Sequence, residues 1–255
     1  MAFKIAVDAG HWYGEPGRRC LKSVDKNETR EWTMNDRVTT YFIEAASKYK
    51  GVEVLRIDDP TGKKNISIYD RATKSNKWGA DFYLSIHHNA GVGGGKGGGV
   101  VTYAYQNGGK AEKYRDAIYN AVIANGGLKG NRAEPKSTAG FVVLKNTKAP
   151  AVLIECGFMD SITDIPYIIK PEYSKLVGYA MMDGIAKIAG LKKKEETKVA
   201  TVKKDYVGHW AEKAIDYCVE KKYMVGDGKG KFRPNDSLTR AELAQVLYNI
   251  DNAKK

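Results

Sequence analysis

Six short apolar runs, at residues 3–8, 52–57, 82–87, 99–105, 140–144 and 151–155, are separated by longer stretches in which apolar residues recur every three or four positions. The runs have strand length. The stretches at 32–49, 67–79, 109–125 and 171–190 have the period of amphipathic helices, as at Val38, Phe42 and Ala45. Strands that alternate with helices cross over to lie parallel, so this part of the chain predicts an α/β fold: a mostly parallel twisted sheet of about six strands flanked by helices.

The remainder has a different character. The run Lys192, Lys193, Lys194, Glu195, Glu196, Thr197, Lys198 is charged and almost free of apolar residues, which is the composition of a linker. From Tyr206 onward the pattern gives a helix at about 209–222, a glycine-rich turn through Gly226, Gly228 and Gly230, and a second helix from about 239. Two helices in some 50 residues enclose little core. The expected division is a domain at 1–191, a charged linker at 192–205 and a small helical module at 206–255.

Composition narrows the class. With 42% hydrophobic and 28% charged residues the chain is neither disordered nor fibrous. The longest apolar runs, such as Ala151 to Ile154, fall far short of the roughly 20 residues of a membrane span. The N-terminus enters its first apolar run at Phe3 without the pattern of a signal peptide, and Cys20, Cys156 and Cys218 form neither a disulfide framework nor a C-x-x-C pair. Synthesis in a reducing cytoplasm is the expectation. The net charge of +12 is shared, with 27 basic and 20 acidic residues up to position 191 and 15 and 10 beyond it. That balance favours polyanions, whether nucleic acid, anionic lipid or acidic wall polymer.

Seven glycines lie between Gly91 and Gly99, with Val92 and Lys96 among them. The run reads as a mobile loop. A phosphate cradle is the sharper alternative, but the run joins two strands and lacks the Gly-Lys-Ser/Thr ending.

Three of the four histidines sit at strand ends: His11 after the first run, and His87 and His88 closing the third. Glu155 closes the sixth. In open α/β sheets, sites form outside the carboxyl ends of strands, so these side chains converge on one edge. Two imidazoles and a carboxylate make a catalytic zinc set that leaves a fourth position open. Glu31, which opens the helix after the long loop, is the chosen carboxylate, with Glu28 as its competitor. His88 must face away from His87 by the period-two rule and is assigned a supporting role. Cys156 reads as a small buried side chain rather than a nucleophile.

The runs Asp8-Ala9-Gly10-His11, Glu31-Trp32-Thr33-Met34-Asn35, Ser85-Ile86-His87-His88-Asn89-Ala90 and Leu153-Ile154-Glu155-Cys156-Gly157-Phe158 resemble the four successive motifs of the zinc N-acetylmuramoyl-L-alanine amidases of bacterial autolysins and phage endolysins (amidase type 3). The resemblance spans residues 3 to about 190. It implies a Zn2+ cofactor held by His11, Glu31 and His87, with Glu155 as the catalytic carboxylate, and peptidoglycan as substrate. Glu155 then takes the proton of the attacking water and passes it to the departing L-alanine nitrogen. One departure is visible: Trp12 and Tyr13 follow His11 where the family usually has two glycines.

Residues 206–250 contain Gly208-His209-Trp210-Ala211, Phe232-Arg233-Pro234-Asn235 and Leu238-Thr239-Arg240-Ala241-Glu242, which resemble one S-layer homology motif. This resemblance implies an acidic secondary cell-wall polymer as partner, rather than nucleic acid. Trp210 is then an aromatic platform and Arg240 an anion contact. Against that, Trp210 can be core, and Arg240 can pair with a carboxylate or cap the second helix. The family usually carries three such motifs and this chain carries one, so homo-oligomerisation through the module is one way to supply the rest. The combined expectation is a phage or prophage endolysin acting on the bacterial wall. A zinc wall peptidase or carboxypeptidase, and a non-catalytic envelope-binding protein, are the alternatives.

Overall fold

The computed structural model describes residues 2–194, 204–227 and 231–253. Positions 195–203 of the expected linker, and Gly228 and Gly230 of the expected turn, lie outside the described residues. Contacts divide the chain into two units, Met1–Lys194 and Glu195–Lys255. The first three lysines of the charged run belong to the first unit: Lys50 donates its N–H to the Lys192 carbonyl at 2.9 Å, and Lys194 donates to Lys48 at 2.7 Å.

The first unit runs β1 (Phe3–Ala9), α1 (Glu31–Ala46), β2 (Val52–Arg56), α2 (Ile68–Trp78), β3 (Phe82–Asn89), β4 (Val101–Ala104), α3 (Lys110–Ala124), β5 (Lys136–Thr138), α4 (Val142–Asn146), β6 (Ala151–Phe158), α5 (Ile165–Ile168) and α6 (Pro171–Ala189). The strands form one six-stranded sheet in the order β2, β1, β3, β6, β4, β5. The neighbours β2, β1, β3 and β6 are parallel, while β4 runs antiparallel to β6, so the sheet is mixed at one side. Helix ends follow local chemistry. Ser67 caps α2 by accepting the Asp70 N–H, Gly79 closes it in the left-handed region, and Pro171 opens α6.

Strand parity sorts the core into two layers. Ile5 and Val7 of β1, Leu84 and Ile86 of β3, and Val152 and Ile154 of β6 face α1, α3 and α6, meeting Phe42, Ile118 and Met181. Ala6, Tyr83 and Leu153 face the other way, toward Val143 and Leu144 of α4. Each large apolar side chain buried here contributes about 1.5–3 kcal/mol. Continued toward the strand ends, the second parity places Asp8, Ser85, His87 and Glu155 on the α2 and α4 side and turns His88 toward α1.

Residues 140–144, expected as a strand, instead lead into α4, and the fifth strand is the polar segment Lys136–Thr138 on the sheet edge. The apolar run serves a short helix because Val143 and Leu144, neighbours in sequence, are both buried against the sheet. Strand alternation would point them to opposite faces and could not seat both in the same layer.

The glycine run is fastened rather than loose. Gly91, Val92 and Gly93 each donate an N–H to Asp160 Oδ2 at 2.8 Å, and Gly94 donates to the Asp160 carbonyl. At the far end Gly99 donates to Asp164 Oδ2 at 2.7 Å. Positive φ at Gly91, Gly93 and Gly94 is what lets successive N–H groups converge on one anion. The nest is real, but its anion is the chain's own carboxylate, which answers the phosphate-cradle alternative.

In the second unit α7 (Glu212–Glu220) and α8 (Arg240–Ala253) flank a small aromatic centre. Tyr206 packs on Phe232 at 5.4 Å and donates to Asp216 Oδ1 at 3.0 Å, and both Asp205 carboxylate oxygens accept backbone N–H groups, from Phe232 and Arg233. Thr239 and Glu242 cap α8 reciprocally, Glu242 N–H to Thr239 Oγ1 and Thr239 N–H to Glu242 Oε2. Apolar cover is scarce. Tyr206 and Ile215 are the buried hydrophobic residues among the described residues of this unit, and none in α8 is buried.

Removing the anion tests the nest. Asp160→Ala should lower the unfolding free energy by about 1.5–3 kcal/mol, the usual cost of losing hydrogen bonds to a charged group. Amide exchange at Gly91, Val92 and Gly93 should accelerate together. Exchange at the wild-type rate would show that the loop is held by something else.

Candidate active site

Glu31, the first residue of α1, is 1% exposed, and its N–H is fastened to the Arg18 carbonyl at 3.0 Å. Its Oε1 accepts from the His88 backbone N–H at 3.2 Å and the Asn35 amide at 3.4 Å, and lies 3.2 Å from His87 Nδ1. Its Oε2 faces His11 Nε2 at 3.3 Å yet accepts no hydrogen bond. One nitrogen or oxygen from each of His11, Glu31 and His87 fits within 4.8 Å of the others, and the two imidazole rings stand edge to face at 4.9 Å. Glu28, the competing carboxylate, lies apart on the surface and pairs with Arg19 at 3.6 Å.

The charge states suit a cation. Burial holds His11 down at about 4, so it offers a neutral lone pair. Burial resists ionisation of Glu31, but the hydrogen bond and charge of His87 outweigh it and keep the carboxyl at about 2. Burial would also depress His87, but the Glu31 hydrogen bond and the Glu155 charge lift it instead. A neutral imidazole, a bare carboxylate oxygen and a second imidazole held between two carboxylates form a donor set short of positive charge. That set fits a divalent metal.

His87 reaches this position because Gly10 has no side chain. A Cβ on Gly10 would fall 2.1 to 2.4 Å from three atoms of the His87 ring. His11 itself sits at φ 64, a left-handed conformation that costs a non-glycine residue about 1–3 kcal/mol. Arg71 on α2 secures it, donating Nη2 to the His11 carbonyl and Nη1 to the Ala9 carbonyl, each at 2.7 Å, while Nη1 also meets Asp8 Oδ1 at 3.1 Å. Asp8 in turn accepts from Ser85 Oγ and the Tyr83 hydroxyl.

Glu155 lies in register beside His87 on the adjoining strand. It is half-buried on the cleft wall, its buried Oε2 has no hydrogen-bond partner among the described residues, and burial, with the Glu31 charge adding to it, pushes its carboxyl up to about 7. That suits a group that must both accept and return a proton near neutrality. His88 is turned into the layer beneath α1, where Nδ1 meets Asn35 Oδ1 at 2.8 Å. Its part in the site is its backbone N–H. Cys156 is fully buried, which raises its thiol pKa far from reactivity.

These groups open on a cleft of about 700 Å³, walled by Ile66, Ile68 and Tyr69 at the start of α2 and by Phe141, Val142 and Val143 at the start of α4. Tyr13 docks beside it, donating to the Gly62 carbonyl at 3.0 Å and packing on Trp32 at 6.2 Å. Aromatic contact thus anchors the loop that follows His11. In the second unit Trp210 is 91% exposed, so it is not core there. The Arg240 guanidinium has no hydrogen bond or ion pair among the described residues, and Thr239 is the residue that caps α8.

Sequence reasoning missed Arg71 and Gly10. The available signals were a lone arginine between apolar helix positions and a glycine directly before a histidine, each too common alone to single out. Gly10→Ala should displace the His87 ring, lowering stability by about 1–3 kcal/mol and weakening the affinity of the His11, Glu31 and His87 cluster for a divalent metal at least tenfold by chelator competition. A variant as stable as wild type, with the same metal affinity, would show that the ring has room to move.

Residues 5–187 match the N-acetylmuramoyl-L-alanine amidase family, and residues 204–244 match the S-layer homology domain. The chain is 30% identical over 191 residues to the sporulation-specific N-acetylmuramoyl-L-alanine amidase of Bacillus subtilis, covering 74% of this chain and 69% of that one. It is 37% identical over 134 residues to the endolysin of Bacillus phage SPP1, which covers 50% of this chain and 47% of that one. Among solved structures, an N-acetylmuramoyl-L-alanine amidase from Clostridium difficile superposes with a TM-score of 0.66 at 23% identity, over 74% of this chain and 97% of that one. The strand-end cluster and the match across most of the first unit lead to one conclusion: the chain belongs to the N-acetylmuramoyl-L-alanine amidase family and carries an S-layer homology domain behind it.

Proposed function

We propose that the chain cuts the amide between N-acetylmuramic acid and L-alanine in peptidoglycan, with zinc held by His11, Glu31 and His87 and with Glu155 as general base and then general acid. The observation that carries this reading is the meeting of two imidazoles and a buried carboxylate within 4.8 Å, with the unpartnered Glu155 beside them. Zinc in such a three-ligand site supplies Lewis acidity and an open position at the reacting centre.

The rest is done by the chain. Arg71 and Gly10 fix the two histidines, and the His88 N–H and Asn35 hold the Glu31 carboxylate in its orientation. As water adds to the amide carbon, Glu155 takes its proton. The C–N bond then breaks, and Glu155 returns that proton to the alanine nitrogen, which would otherwise leave as a poor amide anion. The products are a lactyl carboxylate and a peptide with a free alanine amine. The likeness to a phage endolysin supports release by a phage or prophage as the route to the wall.

For the second unit, the reading is attachment to an acidic wall polymer, with Trp210 as a stacking face and Arg240 as an anion contact. The exposure of Trp210, at 91%, and of Arg240, whose guanidinium has no hydrogen bond or ion pair among the described residues, supports it. Leu243, Leu247 and Tyr248 of α8 are about half exposed or more, at 48%, 56% and 65%. A single repeat leaves its apolar face open, and association of this module with copies of itself would cover it.

Glu155→Gln should keep about one zinc per chain while hydrolysis of purified walls falls by about two to four orders of magnitude. His11→Ala and His87→Ala should each lose the metal, and His88→Ala should retain it. Mass spectrometry of wild-type digests should find peptides beginning with free alanine and intact glycan strands; cuts within the peptide would make the enzyme a peptidase.

Ending the chain after Lys194 should leave an enzyme that cleaves soluble muropeptides but sediments less with whole walls. The remaining difference in wall binding should shrink as salt rises, because a basic module on an acidic polymer is drawn by charge screened beyond about 8 Å at physiological ionic strength. Equal sedimentation of the shortened and full chains at every salt concentration would remove wall anchoring from the second unit.

A further inference from the structure

Two arginines line the active cleft, and they differ in what they do. Arg71 is buried, and its guanidinium is committed to Asp8 and to the carbonyls of Ala9, His11 and Ile66. Arg18 is exposed at the mouth, and its guanidinium has no hydrogen bond or ion pair among the described residues. Its backbone is held: the Arg18 carbonyl accepts the Glu31 N–H at 3.0 Å, and the adjoining Arg19 and Arg30 form an antiparallel bridge. A side chain that is free to swing therefore starts from a point fixed to the helix that presents Glu31. Its charge is felt at both His11 and Glu155.

The surrounding charges sharpen its role. Glu15, Glu31 and Glu155 also line the cleft, and the charge of Asp8 is answered by Arg71. An anionic group on a bound ligand thus meets carboxylates along the cleft and, apart from the metal site, one uncommitted cationic side chain among the lining residues, at its mouth. Resting on the amidase reading, the chemistry of the substrate says where such a group lies. The lactyl carboxyl is consumed in the scissile amide, and the alanine carboxyl continues into the peptide. A free carboxylate close to the reacting bond can then come only from the acidic residue that follows alanine.

We propose that Arg18 forms a subsite for a carboxylate on the peptide side of the scissile amide, so that the enzyme selects stem peptides whose acidic residue is a free acid over those in which it is a carboxamide. Guanidinium suits this task because its planar fork meets a carboxylate with two parallel hydrogen bonds.

The test compares two synthetic N-acetylmuramoyl peptides, identical except that the residue after L-alanine carries a free carboxylate or its carboxamide, with the full-length zinc-loaded chain. Wild type should favour the free acid by about tenfold or more in kcat/KM. Arg18→Gln should raise KM for the free acid by about 10- to 100-fold, the range for losing a hydrogen-bonded charge partner, with kcat and the carboxamide kinetics unchanged. Arg18→Lys should recover part of the preference through charge alone. Zinc content and melting temperature should stay at wild-type values in both variants. Equal losses on both substrates, or a fall in kcat, would overturn the subsite by placing Arg18 in the chemistry or the scaffold. Unchanged kinetics would overturn it as well. A wild type that cleaves neither substrate would overturn the amidase reading, and the subsite with it.

Discussion

The buried carboxylate of Glu31 is the constraint around which the first unit is arranged. Its two oxygens address two imidazoles that come from different strands, and its backbone N–H is tied to Arg18 on the loop that precedes it. A carboxylate removed from water is costly unless hydrogen bonds and opposite charge surround it. Here the helix start, the His88 N–H, Asn35 and His87 supply them. The consequence runs outward through the fold. β1 and β3 must be adjacent and parallel for their ends to meet, and α1 must begin directly above that meeting point, which the sheet order provides.

The strained backbone at His11 shows the same dependence from below. A histidine in the left-handed region persists only where its surroundings over-determine it. Arg71 does this with hydrogen bonds to the carbonyls on either side of Gly10, and Asp8, Ser85 and Tyr83 hold the guanidinium in place. The edge that carries the two histidines therefore rests on a buried polar network as well as on apolar packing. Such a network is stabilising only when its members are satisfied, which ties the integrity of α2 to the geometry of the two histidines that it does not itself carry.

Much of this was readable in the sequence where a period governs it. The amphipathic stretches gave four long helices at nearly their observed positions, and the period of two separated His87 from His88 because alternation is set by strand geometry rather than by context. Period failed at Phe141 to Leu144, where an apolar run of strand length folds as a helical turn to bury two adjacent side chains against the sheet. It failed again at Lys136–Thr138, a polar edge strand defined only by its partner. The glycine run was misjudged for a related reason. Its rigidity comes from Asp160 and Asp164, more than sixty residues away, and no local pattern marks two aspartates as anchors for a distant backbone. Arg71 and Gly10 were invisible likewise, since each acts through one close approach in three dimensions.

The clamp on the glycine run also bears on how the site keeps its shape. Asn89 and Ala90, which line the cleft, lead directly into Gly91, whose N–H is already bound to Asp160. Asp160 follows Phe158 and Met159 at the end of β6, the strand that carries Glu155. The strand bearing His87 and the strand bearing Glu155 are therefore joined twice, once by the ladder between β3 and β6 and once beyond it by the filled nest. The register of that ladder shifts between His87 and Asn89, so the pairing is irregular there before it resumes at Asn89 and Phe158, where the Met159 N–H meets the Asn89 carbonyl at 2.8 Å. An anion-filled nest just past that irregularity reinforces the connection without adding a side chain to the cleft. Glycine is what makes this possible, since only a backbone free to adopt positive φ turns consecutive N–H groups onto one carboxylate. The unusual richness of the segment in glycine thus serves to hold His87 and Glu155 at a fixed separation, and the apparent softness of its composition is the means of that rigidity.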